Sequence, residues 1–138
     1  MKEQLAFHDS ADRDSRDVLL NGKRVGMLQS HGGDHRVVFN VDGPFIEVKL
    51  STLDEIVGEK NRRHGKNLMP ISNLTFEMTM DPHSNSIYQE KKSIGILRWH
   101  DGIFNVLLFS DSPLLSISIS DIETILKRRD EILKPLAQ

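Results

Sequence analysis

Slid against itself by 69 residues, half of its 138, the chain matches without a gap. Val25-Gly26-Met27-Leu28-Gln29-Ser30-His31-Gly32-Gly33 returns as Ile94-Gly95-Ile96-Leu97-Arg98-Trp99-His100-Asp101-Gly102. Between residues 4–62 and 73–131, 14 of 59 positions are identical, where ordinary composition gives roughly four. The identities include structural punctuation: Gly26/Gly95, Gly33/Gly102, Pro44/Pro113 and Ser51/Ser120. Apolar positions pair conservatively, as in Val25/Ile94, Phe39/Leu108, Val48/Ile117 and Leu53/Ile122. The fold must therefore be two copies of one unit. A unit of 69 residues would bury only a marginal core by itself. Residues 1–138 are accordingly read as a single domain of two repeats, 1–69 and 70–138, with a linker at about 65–72.

Each copy reads as strands followed by one helix. Leu5 and Phe7 alternate with Ala6 and His8, and Leu74, Phe76, Met78 and Met80 alternate more clearly with Thr75, Glu77 and Thr79, the period of a half-buried strand. The polar stretch Asp9 to Asp17, matched by Asp81 to Ser86, reads as a loop. Val18-Leu19-Leu20 leads into the tight-turn dipeptide Asn21-Gly22, and a second strand runs over Lys23–Ser30 or Lys92–Trp99. His31-Gly32-Gly33-Asp34 and His100-Asp101-Gly102 make the next hairpin turn. Val37-Val38-Phe39 and Val106-Leu107-Leu108-Phe109 are apolar on both faces, which suits a strand covered on both sides. After Asp42-Gly43-Pro44 and Asp111-Ser112-Pro113, the last strand alternates through Ile46, Val48 and Leu50 or Leu115, Ile117 and Ile119. It passes directly into a helix. Ser120-Asp121-Ile122-Glu123 has the form of a capping box, and Ser51-Thr52-Leu53-Asp54 is a weaker version. Leu53, Ile56 and Val57 share one helix face, as do Ile122, Ile125, Leu126 and Leu133. Gly65 and Pro135 end the helices, and Lys60, Arg62, Arg63, Lys127, Arg128 and Arg129 complement the helix dipoles in their last turns. The expected fold class is α+β: tandem duplicated ββββα units, antiparallel sheets packed on helices, with pseudo-twofold symmetry.

Several chemistries lack their residues. The chain has no cysteine, which removes disulfides, thiol catalysis and thiolate zinc sites. No Gly-x-Ser-x-Gly elbow and no phosphate-cradling glycine loop opens a helix. Asp12, Asp14 and Asp17 lack the glycine and distal glutamate of a calcium loop. His31 and His100 are duplicated and His35 is near, but no second ligand recurs with metal-binding spacing in both copies. No cofactor, no metal and no enzymatic activity are therefore expected. No apolar run approaches a membrane span and the N-terminus carries no apolar signal region, so the expected setting is cytoplasmic, without membrane association.

The net charge of −2 divides into 11 basic and 11 acidic residues in the first half and 7 and 9 in the second. Nucleic-acid binding would then need a local basic face rather than a basic protein. Lys23, Arg24, Arg36 and Lys49 lie on or beside strands of the first copy, and Lys91, Lys92 and Arg98 on those of the second. Strand acids are fewer: Glu47, Glu77 and Glu90. Trp99, Tyr88 and Phe104 stand in the same region. Aromatic and basic side chains on one sheet face would stack bases and neutralise phosphates. Lys23, Arg24, Arg36, Lys49, Lys92, Arg98 and Trp99 are the candidate contact residues.

The strand-to-helix segments Val48-Lys49-Leu50-Ser51-Thr52-Leu53-Asp54-Glu55-Ile56 and Ile117-Ser118-Ile119-Ser120-Asp121-Ile122-Glu123-Thr124-Ile125, within a duplicated ββββα unit, are similar in pattern to the Whirly and Pur-alpha families. That resemblance covers most of the chain in topology. It implies single-stranded nucleic-acid binding and carries over no individual contact residue. The expectation is a non-catalytic protein that binds single-stranded nucleic acid. The alternative is a protein-binding inhibitor, adaptor or assembly module, such as a phage or mobile element carries, as a monomer or a homodimer. A basic, aromatic sheet face favours the first, and a contiguous apolar patch or bare edge strand the second.

Overall fold

The computed structural model describes residues 4–10, 14–31, 34–65 and 72–133. The first copy forms β1 (Leu5–Asp9), β2 (Ser15–Leu20), β3 (Lys23–His31), β4 (Asp34–Asn40), β5 (Phe45–Lys49) and α1 (Leu50–His64). The second forms β6 (Leu74–Met78), β7 (Ser84–Gln89), β8 (Lys92–His100), β9 (Ile103–Phe109), β10 (Leu114–Ser118) and α2 (Ile119–Leu133). The α+β class and the tandem strand-then-helix order are as expected, with five strands per copy instead of four. The added strand in each copy, β2 or β7, starts inside the stretch read as a polar loop. It opens on three hydrophilic residues and then reaches Val18 or Ile87, each fully buried.

All pairings are antiparallel, and each copy lends its last strand to the other. One sheet has the order β1-β2-β3-β4-β10 and the other β5-β9-β8-β7-β6. The exchange keeps one register: Leu114 faces Asn40 and Ser118 faces Arg36, while Phe45 faces Phe109 and Lys49 faces Asn105. The two crossing connections are tied together at equivalent points. Val41 N–H donates to the Pro113 carbonyl (2.8 Å) and Ser110 N–H to the Pro44 carbonyl (3.0 Å).

Each helix begins where its lent strand ends. Leu50, Leu53 and Ile56 of α1 and Ile119, Ile122 and Ile125 of α2 are buried at the spacing of one helix face, in one core with Val37, Phe39, Val106 and Leu108. α1 then reaches back to its own copy's sheet, where Glu59 meets Arg16. α2 does the same, where Arg128 meets Asn85. The helices thus cover one face of each sheet and leave the other open. The expectation that β4 and β9 are covered on both sides is corrected. Along β9, Phe104, Val106 and Leu108 are buried, while Ile103 and Phe109 are exposed.

The helix starts also differ from the sequence reading. Ser118, not Ser120, caps α2, accepting from the Asp121 N–H (3.2 Å). The helix begins two residues earlier because Ile119 is needed in the core. Lys49 holds the equivalent position in α1 and provides no side-chain cap. Gly65 ends α1 as expected, its N–H donating to Asn61 O (2.8 Å). Leu133 is exposed rather than on the packed face, and Lys60 is only 1% exposed. Pro135, Gly32, Gly33 and linker residues 66–71 lie outside the described residues.

One glycine in each copy is a packing requirement. The pairing of β2 with β3 slips between Val18 and Leu19, and that of β7 with β8 between Ile87 and Tyr88. The extra residue, Val25 or Ile94, makes a β-bulge. Beside it, a Cβ on Gly26 would lie 2.4 Å from the Val38 carbonyl oxygen, and one on Gly95 would lie 2.1 Å from that of Leu107.

Candidate functional site

The open faces of the two sheets follow from the pleat. In the first sheet Asp17, Arg24, Met27, Gln29, Arg36 and Val38 point away from the helices; in the second, Tyr88, Ile96, Arg98, Asn105, Leu107, Phe109, Phe45, Glu47 and Lys49 do. The second face is the more apolar. Phe45 and Phe109 are directly opposed on β5 and β9 and are 45% and 40% exposed, and Ile103 is 56% exposed. At the positions of Phe109 and Ile103 the first copy carries Asn40 and Asp34.

The seven candidate contact residues do not converge on one face. Arg98 is on the open face of the second sheet, but Trp99 follows it in the strand and points to the helix side. There it stacks on Phe104 with ring centroids 5.5 Å apart and meets His83 edge-on at 6.2 Å. Strand parity forces this separation, because adjacent residues alternate faces. Lys23 and Lys92 pair with Leu20 and Gln89 beside the turns. Lys49 ends β5, in register with Asn105 and Arg98.

The open-face arginines have carboxylate neighbours. Arg24 pairs with Asp17 (3.1 Å) and Arg98 with Glu47 (3.1 Å). Arg36 donates from Nε to Ser116 Oγ (2.9 Å) and lies 4.0 Å from Asp34. Asp17 lies on β2 where the sequence suggests a loop, and Asp34 on β4 where it suggests a turn, so the strands carry more acids than expected.

Beneath the first sheet lies a buried polar cluster that sequence reasoning passed over. Glu59 accepts from Arg16 (3.0 Å) and from Arg62; Arg16 also pairs with Asp9 (3.1 Å). Lys60 donates to the Gly65 carbonyl (3.1 Å) and to Asn61 Oδ1 (3.2 Å). His35 Nδ1 lies 2.7 Å from Ser30 Oγ, and its ring is 4.9 Å from that of His64. Burial, aided by Lys60 and His64 and opposed by Asp34, holds His35 below its ordinary 6.5. The second copy replaces this chemistry: Trp99 and Phe104 stand for Ser30 and His35, and Asn85 and Arg128 for Arg16 and Glu59. Arg128 donates to Asn85 Oδ1 (2.9 Å).

The duplicated histidines do not form a site within the described residues. His100 is exposed and lies 3.2 Å from Asp101. The His31 side chain is outside the described residues, though its backbone pairs with Asp34. Among the described residues no three His, Asp or Glu side chains are grouped to hold a metal ion, and no helix is long and apolar enough to cross a membrane. The chain matches no family model, no curated protein and no solved structure to which it was compared.

Proposed function

We propose that this chain is a non-catalytic protein-binding module whose working surface is the open face of the second sheet. The observation that carries this reading is the opposed pair Phe45 and Phe109, 45% and 40% exposed, with Ile103 on the same face. An apolar cluster on a soluble sheet surface costs hydration free energy that a partner's apolar side chains would recover. Five strands at ~4.8 Å spacing and about seven residues long give a face of roughly 500 Å². That is below the ~800 Å² per partner of a stable complex, so the interaction is weak and reversible, or the partner also takes an edge strand.

Single-stranded nucleic acid is the second reading, favoured by one observation. Lys49, Asn105 and Arg98 stand in register across β5, β9 and β8, on the same face as the exposed phenylalanines and four residues along the strands from them. Such a strip could follow a phosphate backbone while the rings stack bases. The ion pair of Arg98 with Glu47 argues against it, because phosphate would have to displace a carboxylate. Fluorescence anisotropy with labelled single-stranded DNA and RNA, run beside affinity capture with Phe45→Ser/Phe109→Ser as the control, separates the two. The protein reading expects no nucleic-acid binding at tens of micromolar and a captured protein that the double variant loses. Micromolar, salt-dependent binding to single strands that Lys49→Ala and Arg98→Ala abolish would overturn it.

A further inference from the structure

Where the lent strand β10 meets the second sheet, the seam opens into a cleft of about 530 Å³. Ile94, Leu108, Leu115 and Ile117 give it apolar walls, and Arg36 and Lys92 bring cations to it. A cleft of about 280 Å³ occupies the related seam of the first copy, walled by Val25, Phe39, Ile46 and Val48. These are the positions equivalent to Ile94, Leu108, Leu115 and Ile117. The recurrence makes the cleft a product of the strand exchange rather than of one loose loop.

The two clefts have diverged in charge. Asn105 of the small cleft is the equivalent of Arg36, and Glu47 that of Ser116. The wide cleft also retains cations that the rest of the molecule uses less. Arg16, Arg24, Arg98 and Arg129 each have a carboxylate oxygen within 3.1 Å. Among the described residues, Arg36 has a hydroxyl and one carboxylate at 4.0 Å, and Lys92 has no ion pair. Two carboxylates also line this cleft. Asp121 accepts from Ser72 Oγ (2.7 Å) in the first turn of α2, where the helix dipole favours negative charge. Asp111 is exposed in the crossing connection.

We infer that the wide cleft binds a small amphipathic organic anion, its apolar body against Ile94, Leu108, Leu115 and Ile117 and its acidic head on Arg36 and Lys92. Its volume lies within the ~300–1,000 Å³ of ordinary small-ligand sites. Charge-assisted contact with a guanidinium and an ammonium supplies orientation, and burial of the apolar body supplies affinity. The small cleft has Asn105 in place of Arg36, and its cation, Lys49, shares a strand face with Glu47, which weakens it as a head-group site.

The test is an amide-shift titration of the whole 15N-labelled chain with octanoate, acetate, octanol and octylammonium. Octanoate is expected to shift the amides of Ile94, Leu115, Ser116 and Ile117 saturably, leaving those of Ile46 and Val48 unmoved. Acetate and octanol, each lacking one half of the ligand, should bind at least fivefold more weakly. Lys92→Glu, on an exposed side chain, should weaken octanoate at least fivefold with the rest of the spectrum unchanged, and Arg36→Ala should do the same. No saturable shift with octanoate would overturn the inference. So would equal binding of octylammonium, or octanoate binding that neither variant weakens.

Discussion

Gly95 is where one methyl group tests the geometry of the fold most severely. In Gly95→Ala the new Cβ would lie 2.1 Å from the Leu107 carbonyl oxygen and 3.2 Å from the Leu107 carbonyl carbon and Leu108 Cδ2. The oxygen belongs to the neighbouring strand, so relief requires β8 to move from β9 by about 1 Å, the shortfall from ordinary contact. Overpacking a core with a side chain free to turn costs about 1–3 kcal/mol. With backbone on both sides, the upper end applies, about 3 kcal/mol. That is a large part of the ~5–15 kcal/mol available to a domain, and it lowers Tm by roughly 10 °C. Urea and thermal unfolding followed by circular dichroism measure it. Gly26→Ala, whose Cβ would lie 2.4 Å from the Val38 oxygen, should behave alike. Gly58→Ala is the control: it sits inside α1 with no atom within 4 Å of a built Cβ. It should gain about 0.5–1 kcal/mol from helix propensity. A Gly95→Ala protein within 0.5 kcal/mol of the parent would refute the bulge geometry.

Three further outcomes are expected. Glu90 and Lys91 occupy the turn position of Asn21-Gly22 with φ of 50° and 69°; Glu90→Asn/Lys91→Gly should stabilise the protein by about 1 kcal/mol in urea titration. Glu59→Gln leaves Arg16 and Arg62 without their buried carboxylate and should cost about 3 kcal/mol, whereas Glu47→Gln, on an exposed pair, should cost under ~1 kcal/mol. Because His35 is held below its ordinary 6.5, the unfolded chain takes up a proton there before the folded one does. Stability should therefore fall as pH drops through 6.5, levelling off below the folded value; His35→Phe, copying Phe104, should remove that slope in unfolding measured from pH 7.5 to 5.

Much of the fold was legible because the repeat supplied two readings of each element. Leu74-Thr75-Phe76 clarifies the weaker Leu5-Ala6-Phe7, whereas Glu90-Lys91, the structural counterpart of the Asn21-Gly22 turn, has no turn residues and Glu90 reads as a strand acid. The strands β2 and β7 were missed because Ser15-Arg16-Asp17 and Ser84-Asn85-Ser86 are polar, although Ser15, Ser84 and Asn85 are buried. The strand exchange was not legible: the alternation of Ile46 and Val48 fits pairing with β4 as well as with β9, and no local pattern names the partner. That Trp99 parts from the basic residues was legible. Arg98 and Trp99 are consecutive, so a strand must send them to opposite faces. The burial of Lys60 was not legible, because it depends on tertiary packing that helix position does not report.

The most direct test of the working surface is site-specific photo-crosslinking. A photoreactive residue is placed at Leu107, on the open face of the second sheet, or at the equivalent Val38 on the first. A discrete protein adduct is expected from position 107, none from position 38, and loss of the adduct with Phe45→Ser/Phe109→Ser. Equal adducts from both positions, a nucleic-acid adduct at 107, or an adduct that survives the double substitution would contradict it.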